Sequence, residues 1–156
     1  MNYWLMKSEP SVFSLDDLAA KAQQTYHWEG VRNYQARNML RDAMKVGDLA
    51  FFYHSNCAEP AIVGIMEIVK AGYPDFYAFD AESVYFDPKS NPENPRWFMV
   101  DVKFVQKLSV PLPLKMLKQQ PELADLALVR RGNRLSLMPV SAAQWQFILK
   151  LAADFA

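Results

Sequence analysis

Hydrophobic and polar positions along the chain change period several times, and each change marks an element. Asn2 to Lys7 (NYWLMK) is a short apolar run that predicts a strand. It ends at Ser8-Glu9-Pro10, because proline disfavours helix in the residue before it. Ser14 followed by Asp16 and Asp17 predicts an N-cap and the first turn of a short helix, Leu15 to Lys21. Thr25 to Asn33 (TYHWEGVRN) has neither period and reads as a loop. Asn33 can cap a second helix, on which Ala36, Leu40, Ala43 and Met44 make one apolar face. Arg37, Arg41 and Lys45 make a basic stripe on the same helix, which turns at Val46-Gly47-Asp48.

Leu49 to His54 (LAFFYH) predicts a buried strand, and Ala61 to Ala71 a longer one with Gly64 inside it, a position that often marks a bulge or a close backbone approach. Tyr73 to Asp80 is irregular, Ser83 to Phe86 reads as a brief strand, and Asp87 to Pro95 as a polar loop. In Arg96 to Leu108, Phe98, Val100, Val102 and Phe104 share one face, with Trp97 opposite. Pro111 to Gln120 holds a turn and a short helix, and Val129 to Leu137 a glycine-containing turn. Ser141 and Gln144 form the S-x-x-Q capping box of a last helix that buries Trp145, Ile148, Leu149 and Ala152. Short strands with helices at their flanks predict an α+β fold around a small mixed barrel. No repeat or long linker divides it, so residues 1–156 are expected to form a single domain.

Composition narrows the function. The chain is 51 % hydrophobic, which excludes disorder. Seventeen basic residues balance seventeen acidic ones, which argues against a sequence-independent coat on duplex DNA; that would rest on many phosphate contacts. A nucleic-acid role therefore needs a local patch and a shaped pocket. The lone Cys57 excludes an internal disulfide and suits a reducing compartment. Met1 to Pro10 has no signal-peptide core, and no apolar run approaches the roughly 18 residues of a membrane span. The expectation is a bacterial cytoplasmic protein, or a nuclear one in a eukaryote, without a membrane partner.

Residues with chemical potential gather at element ends: Lys7-Ser8-Glu9, Trp28 to Asn33, Tyr53 to Asn56, Arg96-Trp97 and Arg130 to Ser136. A base reader needs aromatic faces and a few polar groups for the base edge, and each stacking contact is worth roughly 1–3 kcal/mol. Trp28 and Trp97 can supply faces, Ser8, Asn33, Ser55 and Asn56 edge contacts, and Arg130, Arg131 and Arg134 phosphate contacts. Each has a plainer alternative. Tryptophan in a small domain is commonly core, Asn33 serves equally as a cap, and the Arg37 stripe as a solvated face. No P-loop, GxGxxG, GxSxG or HExxH occurs, and two histidines with one cysteine do not make a structural zinc site, so neither metal nor cofactor is expected. The best enzyme constellation is Lys7 with Glu9 on one strand face, which serves acid–base chemistry or a surface ion pair.

Five blocks carry a resemblance: YWLMKSEP (Tyr3 to Pro10), WEGVRNYQARNMLR (Trp28 to Arg41), VGDLAFFYHSN (Val46 to Asn56), PRWFMVDVKF (Pro95 to Phe104) and RRGNRLSLMPVS (Arg130 to Ser141). In this order they closely resemble the EVE-domain family. The resemblance implies a PUA-like fold, related to the YTH and ASCH domains, and recognition of a modified base in DNA or RNA, with modified cytosine the leading candidate. It places Lys7, Ser8, Trp28, Asn33, Ser55 and Trp97 near the base pocket and Arg130 to Arg134 at its rim. It also leaves room for an ASCH-like hydrolase of modified nucleosides using Lys7 and Glu9, and the residues alone leave room for a protein-interaction module. The expected assembly is a monomer.

Overall fold

A computed structural model describes residues Met1–Ala156. Six strands form one mixed sheet: β1 (Tyr3–Ser8), β2 (Thr25–His27), β3 (Leu49–His54), β4 (Ala61–Pro74), β5 (Phe98–Pro113) and β6 (Leu137–Val140). Their order is β2-β5-β4-β3-β1-β6. β1 runs parallel to β3, and all other neighbours are antiparallel. Four helices flank the sheet: α1 (Leu15–Ala19), α2 (Tyr34–Asn38), α3 (Leu114–Leu117) and α4 (Ala142–Asp154). This is the expected α+β, PUA-like architecture.

Both faces of the sheet are covered, which explains why strands such as LAFFYH read as unbroken apolar runs instead of alternating. Alternation still decides which core each side chain enters. Trp4, Met6, Ala50, Phe52, Met66, Ile68, Val100 and Val102 point to one core, closed by Leu15 and Leu18 of α1 and by Ala36, Leu40 and Met44 around α2. Leu5, Phe51, Tyr53, Ile62 and Met138 point to the other, closed by Leu117, Trp145 and Ile148. Trp145 stacks on Phe51 at 3.9 Å between centroids. The buried Asp48 ties β1 to the turn before β3, accepting from Trp4 Nε1 at 3.0 Å, the Asn2 amide at 3.1 Å and the Lys45 amide at 2.9 Å. All three expected caps, Ser14, Asn33 and Ser141, form. Ser14 makes a capping box with Asp17, and Ser141 makes one with Gln144.

Five elements differ from the sequence expectation. Thr25 to His27, read as loop, is an edge strand on β5; three residues are too few to show a period. Ser83 to Phe86, read as a strand, is a chain of turns, with Ser83 Oγ accepting from the Tyr85 amide at 3.1 Å. α2 does not run on as an α-helix; it passes at Met39–Ala43 into a π turn, closed by the Met44 amide donating to the Met39 carbonyl at 2.9 Å. β4 and β5 outrun their expected ends because four register shifts let two long strands stay paired while they bend. Gly64 sits within one of these shifts: a Cβ there would lie 2.4 Å from the Leu15 side chain and 2.5 Å from the Gln106 carbonyl oxygen.

Candidate functional site

The end of β1 is wedged between two neighbouring segments. The Lys7 amide donates to the Ser136 carbonyl at 2.8 Å, and the Ser55 amide to the Ser8 carbonyl at 3.0 Å. This brings Lys7-Ser8-Glu9, Ser55 and Arg134-Leu135-Ser136 together, and the loop after β2 closes the opposite wall. Between them lies a cleft of about 540 Å³, whose aromatic lining is Phe13, His27, Trp28 and Tyr85. Of the expected residues, Lys7, Ser8, Trp28, Asn33, Ser55 and Arg134 line this cleft, as does Glu9.

Three of the expected residues are not among those that line the cleft. Trp97 does not line the cleft. It precedes the first residue of β5 and packs by α2 and the Asp87 loop, where it stacks on Tyr34 at 4.9 Å and donates from Nε1 to Asp87 at 2.7 Å. Arg130 and Arg131 also lie outside it. Arg130 approaches Asp125 at 3.7 Å, and both arginines are solvent-exposed before the Gly132 turn redirects the chain. Trp28 satisfies both of its readings. It is 6 % exposed and packs edge-on against Phe52 at 5.3 Å, yet it borders the cleft.

Sequence reasoning missed the group that shapes the loop after β2. Asp75 is fully buried and accepts from the Gly30 amide at 2.9 Å, Arg32 Nη1 at 3.0 Å and the Tyr77 amide at 3.0 Å. Arg32 is thereby held with its guanidinium 5.5 Å from the Tyr85 ring and 5.4 Å from the Trp97 ring, and it donates from Nη2 to the Tyr85 carbonyl at 2.7 Å. Gly30 has φ +84°, and a Cβ there would stand 2.5 Å from the Tyr85 ring. Only glycine combines that backbone with that closeness. The Tyr73 to Asp80 segment looked irregular, and no signal in it marked Asp75 as the anchor.

Polar groups in the cleft are partly committed. Ser8 Oγ donates to the Phe13 carbonyl at 2.6 Å, which leaves its lone pairs to accept. Asn33 Oδ1 caps α2 through the Ala36 amide at 3.0 Å, which leaves its amide nitrogen to donate. Glu9 accepts from Asn56 at 2.7 Å and makes no ion pair with Lys7. Burial lowers the Lys7 ammonium pKa below the ordinary lysine value. Burial, reinforced by Asp75, raises the Glu29 carboxyl. A separate groove of about 270 Å³ is framed by Tyr34, Arg37, Arg41, Lys89 and Arg96.

Comparison with known proteins decides the family. The EVE domain model matches residues 2–151. The chain belongs to the EVE-domain family. Mouse thymocyte nuclear protein 1 is 47 % identical over 96 % of this EVE domain and 73 % of that protein. A crystal structure from Pseudomonas syringae superposes with a TM-score of 0.92 at 52 % identity, covering 96 % of this chain and 99 % of that one. Human thymocyte nuclear protein 1, crystallised in complex with DNA containing 5-methylcytosine, superposes at 0.91 with 46 % identity, covering 97 % and 98 %. An ASCH protein from Zymomonas mobilis superposes at 0.55 with 7 % identity, covering 97 % and 99 %, and shares the fold alone.

Proposed function

We propose that this EVE domain is a non-catalytic reader of modified cytosine in DNA, which captures a base that has left the stack. The observation that carries the reading is the cleft itself: a recess of about 540 Å³ with aromatic walls and three basic side chains, Lys7, Arg32 and Arg134, in a chain of zero net charge. Its affinity must come from a shaped local site. The likeness to a protein crystallised with DNA containing 5-methylcytosine supports cytosine as the base and DNA as the polymer.

The base enters between Tyr85 and the exposed edge of Trp28. Ser8 offers an acceptor and Asn33 a donor to its polar edge, and Arg134 pairs with a flanking phosphate. Trp97 acts from behind, holding Arg32 and through it Tyr85. Extruding a base costs a few kcal/mol, so single-stranded or mispaired targets bind more tightly than intact duplex. A methyl group alone changes affinity by about 1–3 kcal/mol, which sets the expected preference over plain cytosine at roughly ten- to a hundredfold.

Fluorescence anisotropy at fixed salt tests this, using DNA and RNA oligonucleotides that carry cytosine, 5-methylcytosine, 5-hydroxymethylcytosine or N6-methyladenine. Tyr85→Ala is the better aromatic variant, because emptying the Trp28 site would cost about 3–5 kcal/mol of folding stability. A modified-cytosine preference that Tyr85→Ala weakens by about tenfold or more supports the reader. Equal affinity for every oligonucleotide refutes it.

One observation favours a second reading, a hydrolase of modified nucleosides. Lys7 faces the same cleft, and its burial brings the free amine closer to neutral pH. Turnover of an N4-acylcytidine that is lost in Lys7→Ala would establish it.

A further inference from the structure

Two buried side-chain polar atoms in the molecule have no hydrogen-bond partner, and one of them, Glu29 Oε2, belongs to a residue that lines the cleft. The Glu29 side chain is 23 % exposed. Its nearest basic group is His27, whose Nε2 stands 3.3 Å away but is also 3.0 Å from the Tyr77 hydroxyl. Burial lowers the His27 pKa and favours the neutral ring, with Asp101 and Asp75 acting in the opposite direction. Arg32, two residues before the α2 start, is committed to Asp75. Glu29 Oε2 is therefore a buried carboxylate oxygen, on a residue lining the cleft, that no hydrogen bond satisfies, and a buried acceptor left unmet is costly. A ligand that brings a donor satisfies it.

The proposed ligand class sharpens what that donor is. A methyl-sensing surface cannot separate 5-methylcytosine from thymine, because both carry the same 5-methyl group. They differ at position 4, where cytosine presents an amino donor and thymine a carbonyl acceptor. A carboxylate has acceptors only; it attracts the first and repels the second. Resting on the base-reading function above, we propose that Glu29 is the residue that determines specificity for cytosine, accepting a hydrogen bond from the 4-amino group of the captured base and excluding thymine. The terminal torsion of a glutamate is broad and nearly two-fold, so either oxygen can turn to the ligand.

The test is anisotropy with DNA carrying one central 5-methylcytosine, thymine, cytosine or 5-methylpyrimidin-2-one, which keeps the methyl group and lacks the 4-amino group. Each base faces an abasic site, which equalises the cost of extrusion. The wild-type protein is expected to bind 5-methylcytosine at least about tenfold more tightly than thymine or the amino-less analogue. Glu29→Gln can rotate its amide to donate to the thymine carbonyl, and should bring 5-methylcytosine and thymine within about threefold of each other. The proposal is overturned if Glu29→Gln keeps the wild-type ratio. It is overturned equally if the wild-type protein binds the amino-less analogue as tightly as 5-methylcytosine, an arm that needs no variant to fold. Loss of the base-reading function itself looks different: the wild type then fails to prefer 5-methylcytosine over cytosine, and both ideas fall.

Discussion

At the scale of single residues, the cleft is built by groups whose surroundings oppose their ordinary preferences. Glu29 is held near Asp75 and away from water, which raises its carboxyl pKa, with Lys21 the cation that partly offsets this. His27 and Tyr85 face the same group. The sign of the binding effect follows. An amino donor on the ligand favours the carboxylate, so complex formation lowers the raised pKa and releases a proton. Affinity for 5-methylcytosine DNA should therefore rise as pH rises through the Glu29 pKa of the free protein and level off above it. Glu29→Gln should flatten that rise, and titrations at several pH values at constant ionic strength check it. Gly30→Ala makes a separate prediction. It forces a side chain onto φ +84° and against the Tyr85 ring, so it should cost more than about 1 kcal/mol in denaturant unfolding and weaken base binding as well.

At the scale of elements, the sequence was most readable where one local rule acts alone. The N-cap at Ser14 and the capping box at Ser141 were legible because a cap rests on residues within three of each other and no tertiary partner. Ser141→Ala should lower stability by about 1 kcal/mol, read as a shift in the urea midpoint without a change in slope. The long strands were legible from their apolar runs, but their ends were not. β4 and β5 extend through bulges that depend on pairing between residues such as Lys70 and Asp101, far apart in sequence. β2 exists because it pairs with β5, whereas Ser83 to Phe86 pairs with no strand and forms turns. The site followed the same rule. Lys7, Ser8, Trp28, Asn33, Ser55 and Arg134 sit at the ends of elements that the sheet order gathers. Alternation put Trp97 opposite the core residues of β5 but could not tell that Tyr34 and Asp87 would cover it. Asp75 and Glu29 were invisible because a lone carboxylate carries no pattern, and its meaning comes from burial.

At the scale of the whole molecule, zero net charge and a small basic rim predict modest salt sensitivity. Each phosphate neutralised adds about 0.9 to the slope of log affinity against log salt concentration on duplex DNA. Arg134→Ala should lower that slope by about one, whereas Arg131→Ala, outside the cleft, should change it less. No helix is long and apolar enough to cross a membrane. The core behind the cleft rests on α1 and α2, and the core on the other sheet face on α3 and α4, so a ligand in the cleft should leave the second pair untouched. The most direct test of the central claim is hydrogen–deuterium exchange with and without DNA containing 5-methylcytosine. Exchange should slow in the segments of Lys7–Glu9, Trp28–Asn33 and Arg134–Ser136, with no change in α3 or α4. Slowed exchange confined to the α3 and α4 side, with the cleft segments unaffected, would contradict it.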